Sequence, residues 1–390
     1  MSLRLLMVAH NWMGEGTAVR ALRLGQGLAR RGHQVDLLAT SHRPFGSQAY
    51  EDGGVRVFLA PHFRDTHRGG WGWLDLPWRA GFCLGHSYDL VHAFDHKPNV
   101  VLPAYIYRVL KATPLVSDWA DWWGKGGVNA NARTLKAEIE EKAEERVRLL
   151  AGWVTAISPA LARRAQGLGL PEGRVLMVPG GADTRGIQVQ DQALARKSLG
   201  LDLGLFYALY LGLGSTDLPL LLQGLALARA KEPRLRLLLL GPMPEQKMAM
   251  AREAGVDQAC IAPGRVPDAD LGRWLAAADL GAIPLADNRM NHARWPNKVG
   301  EYLAAGLPVL SNPVGHVAEV LKGSGAGLLV PPSAEGFCEG LLALCKAGAG
   351  KDYRAKARQL AEKELSWDAL AERCEGFYQR CMQPEAKPKA

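Results

Sequence analysis

Twice in this chain a short apolar run breaks on glycines, passes into a helical pattern and returns to a second apolar run. Residues 3–9 lead into His10-Asn11-Trp12-Met13-Gly14-Glu15-Gly16-Thr17, a helical pattern runs to Gly32, and residues 35–40 are apolar again. Residues 207–211 lead into Gly212-Leu213-Gly214-Ser215-Thr216, a helix follows over 218–230, and residues 235–240 close the pattern. Runs this short and this apolar read as strands buried on both faces, and a helix joining two of them makes a βαβ unit of a parallel sheet. At 390 residues the chain exceeds one ordinary core. The expectation is an α/β protein of two doubly wound, Rossmann-like domains, residues 1–190 and 191–365, facing across a cleft. Residues 383–390 read as a flexible tail.

Sites in such sheets lie at the carboxyl ends of the strands, where turn N–H groups face a phosphate. That makes His10, Gly14, Glu15, Gly16, Gly212, Gly214 and Ser215 candidates, with Asp118 and Asp121 at the exit of the 114–119 strand. Asp118 and Asp121 serve equally well as turn and capping carboxylates. A dinucleotide fingerprint is broken in the first turn, since Val19 stands where the third glycine belongs. Asp36 has the spacing of a ribose-binding acid but begins the second strand instead of ending it, so NAD is not expected.

Residues 291–311 read as loop, short helix, turn and strand. Pro296 suits the first turn of a helix of about three turns, and Gly306 with Pro308 ends it. Arg294, Lys298 and Glu301 follow one another at spacings of four and three, which puts Lys298 and Glu301 on one face and Arg294 beside the helix start. Two cations with helix N–H groups suit a diphosphate, and the carboxylate suits sugar hydroxyls. Spacing alone describes an ordinary surface ion pair just as well.

Other features narrow the class. The six cysteines form no C-x-x-C pair, and those on one helix stand too far apart to bridge, so reduced thiols in a cytoplasmic protein are expected. Asp268-Ala269-Asp270 is formally a D-x-D metal motif, but it opens an amphipathic helix and reads as capping, so no metal is expected. The charge is uneven: residues 1–190 hold 23 Lys+Arg against 17 Asp+Glu, and the rest 24 against 22. A basic first half suits a lipid phosphate, an anionic membrane or an acidic glycan, and equally a basic surface with no partner. No basic block with interleaved aromatics marks a nucleic-acid module. Trp71, Trp73 and Trp78 alternate with Arg64, Arg68 and Arg79, which suits a membrane interface or a sugar platform, or else core aromatics under a long loop. Residues 137–150, rich in Glu and Arg, read as a helix with a solvated face.

The stretch Pro296-x-Lys298-x-x-Glu301-Tyr302-Leu303-Ala304-Ala305-Gly306-x-Pro308-Val309 resembles the donor-site helix of retaining GT-B glycosyltransferases of family GT4. The first strand, glycine loop and Arg31-Gly32-His33-x-Val35, the run ending at Asp183, Gly264-Arg265-Val266-Pro267 and Gly327-Leu328-Leu329-Val330-Pro331 follow in the family's order. The resemblance implies that Glu301 holds the ribose and that the Gly264, Arg265 and Val266 backbone reads the base. It implies that Asp118 or Asp121 faces the transferred sugar and that the 366–382 helix crosses back to the first domain. Two departures stand out. The family's earlier glutamate is Ala293 here, with Asn288, Arg289, Asn291 or Arg294 as replacements, and its phosphate arginine is Leu213.

On this reading the chain moves a sugar from a nucleoside diphosphate sugar, of UDP or GDP, to a glycan, lipid-linked or small-molecule acceptor, with retention at the anomeric carbon. Arg294 and Lys298 stabilise the leaving diphosphate, and His10, Glu15, Trp71 and Trp73 lie on the acceptor side. No protein nucleophile stands out; the resemblance implies front-face attack, with the departing phosphate taking the acceptor proton. No metal or other cofactor is expected, and no nucleic acid. The location would be cytoplasmic, peripheral on the inner membrane face if the acceptor is lipid-linked. An epimerase or phosphorylase of the same fold, or a non-catalytic glycan-binding relative, is the alternative.

Overall fold

The computed structural model describes residues 2–44, 46–62, 75–124, 127, 135–212, 217–348 and 350–383. Trp71, Trp73, Arg64, Arg68, Leu213, Gly214 and Ser215 therefore lie outside the described residues. The chain divides into two compact units, Met1–Gly181 with Trp367–Ala390, and Ala182–Ser366.

The first unit carries β1 (Arg4–Trp12), β2 (Gln34–Pro44), β3 (Gln48–Asp52), β4 (Val55–His62), β5 (Leu90–Phe94), β6 (Leu115–Trp119), β7 (Gly152–Ala156) and β8 (Val175–Met177). They form one sheet in the order β3-β4-β2-β1-β5-β6-β7-β8, parallel except for the β3–β4 hairpin. That hairpin turns on Gly53 and Gly54, both at positive φ, which matches the twist of the paired strands. In the second unit β9 (Phe206–Leu211), β10 (Leu235–Leu240), β11 (Cys260–Gly264), β12 (Leu280–Ile283), β13 (Val309–Ser311) and β14 (Gly327–Leu329) run parallel in the order β11-β10-β9-β12-β13-β14. Strand order reverses beside β1 in one sheet and beside β9 in the other, and ligands of such sheets bind outside the carboxyl ends at that point.

The Trp367–Cys381 helix belongs to the first unit, where Leu370, Ala371, Cys374, Phe377 and Tyr378 join Leu24 and Leu28 in the core. Close approach depends on Gly27, where a Cβ would stand 2.7 Å from both Ala371 Cβ and the Trp367 carbonyl oxygen. The buried Tyr378 hydroxyl lies 2.7 Å from His92 Nδ1, and His92 Nε2 lies 2.9 Å from Thr155 Oγ1. Burial pushes His92 down to about 4, so at neutral pH it is an uncharged link in this chain. Tyr378→Phe would leave His92 Nδ1 buried without its partner and should lower unfolding free energy by about 1 to 2 kcal/mol in a urea titration. An unchanged midpoint would mean that the link contributes nothing.

Several local expectations need correction. The Leu135–Ala151 helix is not simply solvated: Glu144 and Arg148 are fully buried, and Trp119 Nε1 donates to Glu144. Arg79 is no interface residue, because it is fully buried and bonded to Asp75, the Ala9 carbonyl and Thr40 Oγ1. Trp78 stacks on Phe82 at 5.7 Å. Asp36 is bound at both oxygens by Arg56 and accepts the Tyr88 hydroxyl, which leaves it no ribose role. The six cysteines are unbridged. Among the described residues, no helix is long and apolar enough to cross a membrane.

Candidate active site

The site in the second unit is built around the end of β9. Gly212, at φ +140, follows the strand, and Gly241, at φ +105, follows β10; a Cβ on Gly241 would stand 2.7 Å from the Gly212 carbonyl oxygen. Only glycine allows these two turns to lie so close. Lys298 reaches this point from its own helix, with Nζ 4.0 Å from the Tyr210 ring centre and 3.4 Å from where a Gly212 Cβ would be. Tyr302 fixes that helix: its buried hydroxyl accepts the Leu211 N–H at 2.8 Å and lies 3.3 Å from the Leu209 carbonyl oxygen.

The helix itself is shorter than its sequence suggests. It spans Lys298–Ala304, about two turns, with Asn297 as a cap that makes no side-chain bond, so Pro296 precedes the helix instead of lying in its first turn. Its dipole is correspondingly short, and charge at the site falls mainly to side chains.

Arg294 leaves the Arg289–Ala293 helix in extended conformation and is held by Asp217, Nη2 to Oδ2 at 2.9 Å. Asp217 also accepts the Ala286 N–H at 3.1 Å and lies 3.4 Å from Asn291 Nδ2. Asn291 is buried, its amide donates to the Ala286 carbonyl oxygen at 2.8 Å, and its N–H is capped by Asn288. It shapes the loop; the ligand role expected of it is not supported by this placement. Ala293 is buried as well.

Lys298 and Glu301 are half-buried, and neither has an ion pair or side-chain hydrogen bond among the described residues. Burial, and then the Arg294 charge, push Lys298 down to about 7 against the pull of Asp217 and Glu301. Burial raises Glu301 to about 6, opposed by Lys298. Two charges held in partial burial without an ion pair or hydrogen bond are costly unless something else supplies the compensation. Lys247, which the sequence reading missed, is fully buried, donates to the Leu240 carbonyl oxygen at 2.7 Å, and lowers Lys298 further.

At the end of β11, Gly264 takes φ +85 and its carbonyl oxygen accepts the Gly241 N–H at 2.9 Å. Arg265 is exposed and Val266 half-buried. Pro267 caps the next helix without a side-chain bond, so Asp268 and Asp270 act as first-turn charges and not as caps; Asp270 pairs with Arg273 at 3.2 Å. Among the described residues, no three His, Cys, Asp or Glu side chains are placed to hold a metal ion.

In the first unit Asp118 is fully buried and bound by Arg20, Nε to Oδ2 at 2.9 Å and Nη2 to Oδ1 at 3.0 Å, with Thr155 Oγ1 at 2.6 Å. Its carboxylate is engaged inside the sheet, so Asp118 is a structural tie and does not face a substrate. Asp121 is exposed. Gly14 and Gly16 take positive φ, exposed Glu15 caps the helix without a side-chain bond, and Thr17 is held by Asn11 at 2.9 Å. His10 lies buried in the last part of β1, with Nδ1 3.5 Å from Asp95 Oδ2. Asp95, His96 and Lys97 were missed because they follow an apolar strand with no glycine to mark its exit.

Residues 15–181 match the family described as Glycosyl transferase 4-like domain, and residues 209–347 match Glycosyl transferases group 1. No curated protein sequence matches the chain. Among solved structures, sucrose-phosphate synthase from Thermosynechococcus elongatus superposes with a TM-score of 0.75 at 18% identity, covering 97% of this chain and 98% of that one. HepE of Anabaena, in complex with UDP and glucose, gives 0.70 at 16% identity, covering 97% and 99%. The catalytic domain of starch synthase IV from Arabidopsis thaliana, bound to ADP and acarbose, gives 0.70 at 14% identity, covering 98% and 100%. Two matched domains in the order the sequence resemblance gave, each built on a largely parallel sheet, place the chain among the group 1 glycosyltransferases, GT4-like and of GT-B fold.

Proposed function

We propose that the chain transfers a hexosyl group from a nucleoside diphosphate sugar to a glycan or lipid-linked acceptor, with retention at the anomeric carbon and without a metal ion. The observation that carries this is the pair Lys298 and Glu301, an ammonium and a carboxylate held half-buried one helical turn apart, Lys298 beside the Gly212 turn, with no ion pair or side-chain hydrogen bond among the described residues. Similar folds solved with UDP and glucose, or with ADP, support a nucleotide ligand. Lys298, and Arg294 steadied by Asp217, meet the diphosphate and the charge that grows on it as the sugar departs. Glu301 accepts the ribose hydroxyls, and the Gly264, Arg265 and Val266 backbone meets the base. Retention rests on the family resemblance. The basic excess of residues 1–190 supports an acceptor on an anionic surface at the cytoplasmic face of a membrane.

Thermal shifts against UDP, GDP, ADP, their monophosphates, NAD and free glycans test the reading. One diphosphate at a hundred times its dissociation constant should stabilise the fold by about 2.7 kcal/mol, with its monophosphate weaker. A response to NAD alone or to glycans alone would overturn it. Turnover should also survive EDTA, and loss restored by Mg²⁺ or Mn²⁺ would remove the metal-free part of the proposal.

A further inference from the structure

Eight of the fourteen large apolar side chains that stand exposed among the described residues fall on two neighbouring helices of the first unit, Pro98–Lys111 and Leu135–Ala151. Scattered singly such residues mean little, but a run of them along one surface marks an interaction site. The crossovers from β5 to β6 and from β6 to β7 put both helices on one face of the sheet, side by side. Lys97 pairs with Glu140 toward their starts, and Arg108 donates to the Leu150 and Ala151 carbonyl oxygens at their ends. On the first helix Val100, Ala104 and Tyr107 pack into the core, while Leu102, Ile106, Val109 and Leu110 follow at helical spacing on the side away from it. Val109 and Leu110 are 61% and 64% exposed. On the second helix Ala137, Glu144, Arg148 and Ala151 are buried, and the outer stripe runs Leu135, Ile139, Lys142, Arg146, Leu149 and Leu150.

Charge is sorted across the same two helices. The first contains no acid. On the second, Glu144 is buried, Glu140 is tied to Lys97, and Glu141 and Glu145 are tied to Arg164, which leaves Glu138 as its one exposed acid among the described residues. Lys111, Lys142 and Arg146 are exposed and make no ion pair or side-chain hydrogen bond among the described residues. Arg108 and Arg174 gather at the same end, 4.0 and 3.8 Å from where a Cβ on Gly152 would be. The outer surface is therefore apolar, with cations within it and beside it. A second copy seated here about a twofold axis would set these cations against their own counterparts, with Glu138 to oppose them. An anionic bilayer matches both features, since lipid phosphates meet the cations and the acyl boundary takes the apolar stripes.

We propose that the outer faces of Pro98–Lys111 and Leu135–Ala151 dock the chain on an anionic lipid bilayer, with both helices lying in the membrane plane. This deepens the transfer reading above: the anionic surface suggested there by net charge gains a definite place on the chain, and the purpose of docking rests on that reading. The first helix begins just past the carboxyl end of β5, so a bilayer along its length reaches the edge of the first sheet where ligands of such sheets bind.

Co-sedimentation of the full chain, without nucleotide, reads the docking. The vesicles are phosphatidylcholine alone, and phosphatidylcholine with phosphatidylglycerol in equal parts. Binding is expected on the mixed vesicles at low salt, falling steeply with added NaCl, and weak on phosphatidylcholine alone. Lys111→Gln and Arg146→Gln should each weaken it about fivefold, and Leu110→Gln/Leu149→Gln about tenfold or more. All four side chains are exposed, so the melting curves of the variants should match wild type. No binding of wild type to the mixed vesicles at low salt, or equal binding by wild type and Leu110→Gln/Leu149→Gln, overturns the proposal. So does a wild type that is dimeric by light scattering, becomes monomeric in that variant and binds no vesicles, because a second copy then covers the face. A thermal shift by a nucleoside diphosphate without vesicle binding removes this proposal and leaves the transfer reading standing. Vesicle binding without any such shift overturns the transfer reading and leaves the docking surface in place.

Discussion

Lys298→Ala is expected to remove about 2 to 4 kcal/mol of transition-state stabilisation from glycosyl transfer, and Lys298→Met should do the same while making the fold more stable near neutral pH. The two effects have one cause. Lys298 Nζ stands between the Tyr210 ring and the Gly212 turn with no carboxylate in ion-pair reach among the described residues. Burial lowers it from 10.5 to about 7. Between those two values the folded chain binds fewer protons than the unfolded one, so the penalty for burying this charge is present in full below about 7 and fades as pH rises toward 10.5. Methionine keeps the stem and removes the charge. Wild type should therefore gain stability on Lys298→Met as pH rises through that window. A bound diphosphate reverses the balance by supplying the missing anion, so the gain in melting temperature with nucleoside diphosphate should be largest in wild type and small in both variants. Glu301 gives a mirror image. Its pKa is raised from 4.5 to about 6, so the penalty sets in as pH rises through that interval, and Glu301→Gln should stabilise the apo fold above it while weakening nucleotide binding. Near-wild-type kinetics in the lysine variants would reduce the site to an ordinary surface pair.

The features that were legible in the sequence are those whose cause is local. Strands such as residues 207–211 show as apolar runs because both faces are covered, and Gly212 and Gly264 mark turns that need positive φ. Lys298 and Glu301 share a helix, so their spacing fixes their proximity. Where the cause is a partner far along the chain, the sequence was silent or misleading. Arg294 gave no hint of Asp217, 77 residues away, and Arg79 gave none of the carbonyl and hydroxyl that bury it. The Gly53-Gly54 hairpin is likewise a local feature, carried by two adjacent glycines at positive φ. Asp95 is the instructive miss: its strain comes from a backbone conformation that composition does not encode, and only the adjacency of β1 and β5 brings it to His10.

Asp118 separates structural from chemical roles most sharply. Asp118→Leu alone should lower unfolding free energy by about 3 to 5 kcal/mol, because Arg20 would remain buried without its counter-charge. The arginine has no exit: Nη1 and Nη2 also donate to the carbonyl oxygens of Pro179 and Val178, at 3.0 and 2.7 Å. Arg20→Met alone should cost about as much, since the carboxylate is then held inside the sheet by Thr155 with no cation beside it. The doubly substituted Arg20→Met/Asp118→Leu chain should recover most of that loss, as well-packed apolar side chains often replace a buried ion pair with little net change. The pH dependence follows from the same pair. Burial works to raise Asp118, but Arg20 outweighs it and holds the carboxyl below its ordinary 3.8, so the contribution is present above that value and disappears as pH falls through the lowered folded pKa. Urea midpoints at neutral pH and in acid read both effects. If the double variant refolds to near wild-type stability and releases nucleotide from a sugar donor at the wild-type rate, Asp118 has no part in the chemistry. If it is stable and inactive, the carboxylate acts at the reaction centre despite its burial, and the assignment of Asp118 as a tie within the sheet fails.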